Sequence, residues 1–519
     1  MLRNLLTVGG WTMLSRLLGL VRDQLLAMFL GAGPVQDAYQ FALRLPNMFR
    51  SLFGEGALSA AFVPLFTARY EKEGRHSALV LAGQAFSLLL TWLILLTVIA
   101  ELCMPWLIDL TAPGFRHGGA ERFALAVQLT RITMPYTVLI CGAALVAGVL
   151  NGRNHFSAAS AAYVSFNVVG ITAILLGAFF CPHHVARISA WGITVSGIVQ
   201  LGGLLWAAKR VGVLPIISLP MLSRDVKLLI RRMVPGLIGS GVTQINLTID
   251  TIIATLLPTG SISWLYFADR VNQLPLGVLG AALGTTLLPL LTRHVTDQDR
   301  PAMQASLNKA LDYALLLTLP ATMGLLALAP AIIAGLFGYG HFTPRDVIHS
   351  GEALRAYALG LPAFIVVKLL APAFFAEGDT ATPVRVGFLT LALNLVLNLL
   401  LYRTLAHIAP PLASTIAACV NMIILGVMLY KRAAFRPTTQ TAKRNLLIAL
   451  SAVLMAGWAF GGEWLLAPTL PTWHALPRLM MLSALIVSSA LIYALLLVFF
   501  RVLSPSELSK MVKRRLQRQ

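Results

Sequence analysis

Residues 78–105 read ALVLAGQAFSLLLTWLILLTVIAELCMP, with Glu101 the one charged side chain in the stretch. Wound as a helix at about 1.5 Å per residue, a run of this length crosses the roughly 30 Å hydrocarbon core of a bilayer. Outward from it in both directions, apolar runs of about 18 to 25 residues recur, broken by short charged or Pro/Gly segments. They are too long for the strands of a membrane barrel, which show segments of about ten residues with alternating polarity. The whole 519-residue chain is 57% hydrophobic and 12% charged, with a mean hydropathy of +0.78. Soluble chains carry roughly 25% charged residues. The expected class is an all-α polytopic membrane protein.

The runs place about fourteen transmembrane helices, over 5–31, 36–67, 78–105, 122–150, 156–181, 187–208, 225–257, 261–292, 309–338, 347–376, 380–403, 410–431, 444–467 and 479–502. Lys and Arg in alternate loops set the orientation. One side collects Arg3, Arg69, Lys72, Arg75, Arg153, Lys209, Arg210, Arg224, Lys227, Arg231, Arg232, Arg293, Arg300, Lys309, Arg385, Lys431, Arg432, Arg436, Lys443, Arg444 and the tail from Arg501 to Arg518. The other side has only Arg116, Arg122, Arg187, Arg345, Arg403 and Arg478. The bias puts both termini in the cytoplasm. The net charge of +20 therefore belongs to cytoplasmic loops and anionic lipid and gives no reason to invoke nucleic acid. Cys103, Cys141, Cys181 and Cys419 fall in or beside apolar runs without metal-like spacing, and read as small buried hydrophobes. The N-terminal stretch has no small-residue cleavage site and carries charges inside its apolar run, which makes it a retained first helix, not a signal peptide.

The chain repeats itself. Phe41-Ala42-Leu43-Arg44 returns as Phe267-Ala268-Asp269-Arg270, and Pro135 and Asn167 return as Pro362 and Asn394. The offset is about 226 residues each time, so spans 1–6 and 7–12 read as two copies of one unit. An even number of spans per copy makes the repeat parallel, with a pseudo-twofold axis along the membrane normal. The expected domains are an N-lobe over 1–212, a C-lobe over 213–436, and a segment 437–519 holding the last two helices and a basic tail. Lobes of this kind rock about a site between them.

Basic residues inside the predicted spans are Arg16, Arg22, Arg44, Arg50, Arg131, Arg270, Arg355 and Lys368; Asp23, Asp37, Glu55, Asp250 and Asp269 accompany them. Each Arg at a helix centre costs about 2.5–3.5 kcal/mol on insertion scales, so such groups face a bundle interior or an aqueous path. Residues seven apart share a helical face, which brings Arg16 towards Asp23 and Asp37 towards Arg44. Arg44 and Arg270 are repeat-equivalent and are expected at a common cavity. Arginine excess there suits a phosphate-bearing substrate, because guanidinium binds phosphate bidentately and stays charged. Plainer structural roles stand beside this: Arg22 pairing with an acid, Arg50 snorkelling to a headgroup, Arg131 and Arg355 at the interface. Asp250 with Asn394 and Asn398 could hold a cation through hard oxygen ligands, although the two carboxamides fit interhelical hydrogen bonding better. No metal-binding spacing of His or Cys, no GxSxG and no P-loop is present, which counts against an enzyme.

Ser15-Arg16-Leu17-Leu18-Gly19-Leu20-Val21-Arg22-Asp23, Gly31-Ala32-Gly33, Asp37-Ala38, Arg44-Leu45-Pro46-Asn47 and Glu55-Gly56-Ala57 together resemble the MurJ (MviN) family of lipid II flippases. Tyr266-Phe267-Ala268-Asp269-Arg270 and Asp379-Thr380-Ala381-Thr382-Pro383 continue the likeness across the chain. It implies the multidrug/oligosaccharidyl-lipid/polysaccharide exporter superfamily: two six-helix lobes plus two C-terminal helices that form a groove for a polyprenyl tail. It also implies movement of lipid II, the lipid-linked peptidoglycan precursor, across the bacterial inner membrane. By motif, Arg16, Arg22, Arg50 and Arg270 would take the anionic headgroup. Ser15, Asp23, Asp37, Arg44, Glu55 and Asp269 would be further polar positions of the site. Asn398 stands where the family's cation site would have an acid, which sets sodium coupling in doubt. No cofactor is expected; coupling to the membrane potential or to a monovalent cation stays open, as does a partnership with the cell-wall synthesis machinery.

Three rivals remain at this level. A flippase for another polyprenyl-linked oligosaccharide would need the same fold and arginines. A membrane glycosyltransferase or ligase acting on the same lipid would need carboxylates in a sizeable outer loop, and every outer loop here is short. A non-transporting scaffold would tolerate alanine at Arg16, Arg22 and Arg270.

Overall fold

The computed structural model describes residues 2–52, 57–466 and 475–503, and every regular element among them is helical. The first compact unit comprises residues 1–263 and 340–343. It contains α1 (Leu2–Leu30), α2 (Pro34–Ala42), α3 (Arg44–Phe49), α4 (Ala57–Leu102), α5 (Met104–Thr111), α6 (Pro113–His117), α7 (Ala120–Thr133), α8 (Tyr136–Gly152), α9 (Phe156–Phe180), α10 (Val185–Val211) and α11 (Arg224–Thr255). The second comprises 264–339 and 344–519. It holds nearly all of α12 (Ser261–Thr296), with α13 (Arg300–Phe337), α14 (Pro344–Ala376), α15 (Ala381–Leu405), α16 (Ala409–Lys431), α17 (Thr439–Leu466) and α18 (Ala475–Phe499).

Among the described residues, nine segments are long and apolar enough to cross a membrane. Two of these, Ala120–Gly152 and Ala381–Lys431, each contain two helices. The long helices α1, α11 and α12, of 29, 32 and 36 residues, also exceed the reach that a bilayer core demands and carry Arg16, Arg22, Asp23, Asp250, Asp269 and Arg270 among the predicted intramembrane charges.

Most expected spans coincide with helices to within a few residues; the span expected at 36–67 is broken into α2, α3 and the start of α4, and two further departures have identifiable reasons. The loop expected at 68–77 is absent: α4 runs on through this polar stretch and turns only at Gly74, where φ is +86°. Glycine adopts that conformation without a Cβ clash, so one residue does the work of a loop. The expected span 122–150 is divided into α7 and α8 at Pro135, which has no N–H for the helical ladder. Its repeat counterpart Pro362 lies inside the uninterrupted α14.

Small residues let the helices approach. A Cβ on Gly192 of α10 would meet the Cβ of Ala173 of α9 at 2.3 Å, and one on Gly197 would meet the Tyr136 ring at 2.7 Å. Such contacts carry association where lipid removes most of the hydrophobic drive between helices. In the second unit, Leu316 of α13 packs with Ile448, Ala452 and Met455 of α17 and Tyr493 and Leu497 of α18. The Tyr493 hydroxyl donates to the Leu316 carbonyl at 2.7 Å, fixing the register of this added pair of helices. Their other faces expose Leu446, Trp458, Trp464, Leu491 and Leu495, the side chains a lipid-facing surface requires.

Candidate functional site

Asp37 sits in the first turn of α2, entirely buried. Arg122 of α7 donates to its Oδ2 at 3.0 Å, and the backbone N–H of Gly260 to the same oxygen at 2.7 Å. Ser263 donates to Oδ1 twice, through its N–H at 3.0 Å and its hydroxyl at 2.6 Å. Four donors thus satisfy a carboxylate that would otherwise be very costly to bury. Arg122 is buried too, with its guanidinium 4.8 Å from the centroid of the Phe115 ring. The partner that α2's own periodicity suggested was Arg44; the side chain that reaches Asp37 from α7 is Arg122, which the sequence placed in an outer loop. Arg44 is half-buried at the start of α3.

Arg22 and Asp23, 7% and 0% exposed, form a second buried pair on α1. Arg22 approaches Asp23 Oδ1 with Nη2 at 2.8 Å and Nε at 3.2 Å, and its guanidinium lies 5.1 Å from the centroid of the Phe166 ring. Gly170 on α9 makes room, since a Cβ there would stand 3.2 Å from Arg22 Cδ. The carboxylate assigned by spacing to Arg16 is therefore held by Arg22. One turn earlier, Asn167 of α9 donates to the carbonyl of Ser15 at 3.0 Å and to its hydroxyl at 3.1 Å. Ser15 is thus a helix-to-helix contact. Arg16, on the same turn, is exposed. Arg50, half-buried in the short π turn after α3, reaches Asn47 Oδ1 at 3.4 Å. Glu55 lies outside the described residues.

On α12, Asp269 is hydrogen-bonded by Gln273, and the Arg270 guanidinium lies 5.8 Å from the Tyr266 centroid. Both are half-buried. Asn394 of α15 donates to Ser414 of α16 at 3.0 Å, and Asn398 donates to Asn394 Oδ1 at 2.9 Å. Asn394 thus takes the interhelical role the sequence favoured, while these bonds of Asn398 stay within α15. Asp250 is half-buried on α11, a helix of the first unit, whereas the carboxamides belong to the second. Arg131 lies 3.9 Å from Glu101 and is largely exposed, as an interfacial arginine would be.

Two constellations escaped sequence reasoning because their members are far apart in the chain. Arg122 and Ser263 stand 85 and 226 residues from Asp37. His349, Glu352 and His407 offer ligand atoms that all lie within 4.8 Å of one another, bringing α14 to the turn between α15 and α16. Only the His-x-x-Glu spacing of the first two was visible in advance.

Long apolar helices with charges paired inside them define the class: a polytopic helical membrane protein. Residues 26–499 match the family model for the lipid II flippase MurJ. A probable lipid II flippase MurJ of Rhizobium meliloti is 36% identical over 95% of this chain and 92% of its own length. The lipid II flippase MurJ of Burkholderia cenocepacia is 35% identical over 95% and 96%. The chain belongs to the MurJ lipid II flippase family. Among solved structures, a lipid II flippase MurJ in an inward closed conformation superposes with a TM-score of 0.78 at 25% identity, covering 95% of this chain and 98% of that one. An inward-facing multidrug resistance MATE transporter of the MOP superfamily shares the fold, with a TM-score of 0.69 at 16% identity over 81% and 94%.

Proposed function

We propose that this protein is a lipid II flippase, a transporter that carries the lipid-linked peptidoglycan precursor from the cytoplasmic to the periplasmic leaflet of the bacterial inner membrane. The observation that carries the reading is the family match over residues 26–499, reinforced by relatives aligned along nearly their whole length. The chain has about fourteen spans with both termini in the cytoplasm, as the Lys/Arg bias favours.

The substrate's chemistry fits the side chains. A pyrophosphate passing through a membrane needs fixed positive charge that survives partial desolvation, and guanidinium groups stay ionised there. Exposed Arg16 and half-buried Arg44, Arg50 and Arg270 supply that charge. Arg22 and Asp23, sealed together, position α1. Alternating access of the two repeat halves moves the headgroup, while the polyprenyl chain stays in lipid along α17 and α18, whose outer faces are apolar. An inside-negative potential favours return of the unloaded cationic site inward, at about 2.3 kcal/mol per charge per 100 mV.

The test is the accessibility of lipid II on the outer leaflet of cells depleted of the protein and complemented with wild type, Arg16→Ala or Arg270→Ala, each checked for membrane insertion. Lipid II trapped inside and not released by the variants supports the reading. Normal lipid II export with a different polyprenyl-linked glycan trapped would overturn the named substrate.

A further inference from the structure

We propose that His349, Glu352 and His407 form a binding site for a divalent transition-metal ion of the zinc class, clamping the start of α14 to the turn between α15 and α16. Glu352 Oε2 lies 3.2 Å from His349 Nδ1 and 3.0 Å from His407 Nε2. With metal–ligand bonds of about 2.0–2.2 Å, the ligand atoms of a tetrahedral zinc site stand about 3.3 Å apart. The two distances to Glu352 already match that spacing, and the two imidazole nitrogens, within 4.8 Å of each other, close on an ion with a shift of at most about 1.5 Å. Two imidazoles and one carboxylate are a borderline donor set that suits zinc over calcium or magnesium, which take oxygen ligands. Glu352 is the most exposed member, so water can complete the coordination from that side.

The surroundings hold the ligands in place. Trp264 packs against both imidazoles, its ring centroid 4.4 Å from that of His349 and 5.3 Å from that of His407, while the two imidazoles contact each other at 4.7 Å. Its indole N–H is tied to Asp346 Oδ1 at 2.8 Å. His407 is buried, and the preceding Ala406 is held at φ +45°, a region alanine rarely occupies and one that recurs at ligand clamps. A contact that opposes metal at His349 comes from Arg345, whose Nε approaches the ring's Nε2 at 3.4 Å. With the ion on Nδ1, Nε2 keeps the ring proton and Arg345 must turn away, which is easy for a side chain exposed to solvent. In the proposed orientation the cluster faces the periplasm, with Arg345 beside it.

The experiment uses tag-free full-length protein in nanodiscs, titrated with Zn2+ against a chelating dye and separately with Co2+. One equivalent of Zn2+ is expected, with Co2+ giving the intense visible bands of a four-coordinate ion. His407→Ala and Glu352→Gln should weaken Zn2+ binding beyond the roughly 10–100-fold that outer-shell changes cost. His349→Cys should keep the ion and add a thiolate-to-cobalt band in the near ultraviolet, which guards against loss of binding through misfolding. His183→Gln/His184→Gln should leave the stoichiometry unchanged. If wild type binds no more zinc than the His349→Ala/His407→Ala protein, or the Cys variant shows no thiolate band, the cluster is a hydrogen-bonded triad and the proposal fails.

Discussion

At Asp37, two oxygens of one carboxylate receive donors from α7, from the turn before α12 and from the first residues of α12, all within the first unit. Removing its charge leaves the buried guanidinium of Arg122 without a counter-ion and turns an amide N–H2 towards N–H donors. Breaking a buried pair from one side costs about 3–5 kcal/mol. Asp37→Asn should therefore lower unfolding stability by that order, and Asp37→Asn/Arg122→Gln should cost less than the two single changes combined. A denaturation midpoint for Asp37→Asn equal to that of wild type would remove the hub. The arginines of α1 divide differently. Arg16 is exposed and Arg22 sealed against Asp23, so Arg16→Ala should stay within about 0.5 kcal/mol of wild-type stability while impairing export. Arg22→Ala should lose both stability and export, because it takes a buried cationic partner from Asp23. Measuring melting and export side by side separates the two roles, and equal melting losses would contradict the assignment. The sequence exposed these charges as anomalies in an apolar background. It offered pairing with an acid as one role for Arg22, which the contact with Asp23 matches, but it did not reveal the partners of Asp37, because no local periodicity connects them to it.

Helices were legible where the apolar run and its punctuation agreed, as in α9, α15 and α16, whose ends fall within about two residues of expectation. They were misread where a polar stretch remained helical. Residues 68–77 look like a loop by composition, yet Arg69 pairs with Glu73 one turn away and Gly74 provides the bend. A capping element elsewhere yields a pH prediction. Asp379 caps the start of α15: Oδ1 accepts from the Thr382 N–H at 2.9 Å and Oδ2 from the Thr382 hydroxyl at 2.7 Å. Arg432 donates to the same Oδ2 at 2.7 Å, joining α15's cap to the end of α16. The bonds from Thr382, then Arg432, hold the Asp379 carboxyl down at about 2 against its ordinary 3.8. A group whose folded pKa is depressed stabilises the fold above its unfolded value and loses that contribution as pH falls through the folded one. Wild type should therefore melt above Asp379→Asn at pH 5, and the gap should narrow between about pH 4 and pH 2. The site is largely in water, so the gap is modest. A gap that stays constant through that window would show that the carboxylate's charge is not what caps α15.

Across the whole chain, the proposed orientation rests on the Lys/Arg bias and the alternation of spans, so one wrong assignment would invert all that follow it. Cys181 provides a native test. It is exposed at the end of α9, in the turn that the proposed orientation assigns to the periplasm, and none of the four cysteines is disulfide-bonded. In a variant carrying Cys103→Ala, Cys141→Ala and Cys419→Ala, a membrane-impermeant maleimide should label Cys181 in intact spheroplasts. A further variant that also carries Cys181→Ala and Lys209→Cys, at the other end of α10, should label only after the membrane is opened. The two positions bracket a single helix, so their labelling must be opposite if that helix spans. Reversed labelling would place the termini outside and expose the basic tail to the periplasm. The proposed direction of transport would then lose its basis, because the face that loads substrate would no longer be cytoplasmic. Equal labelling of both positions would instead remove α10 from the set of spans and break the even count on which the parallel repeat depends.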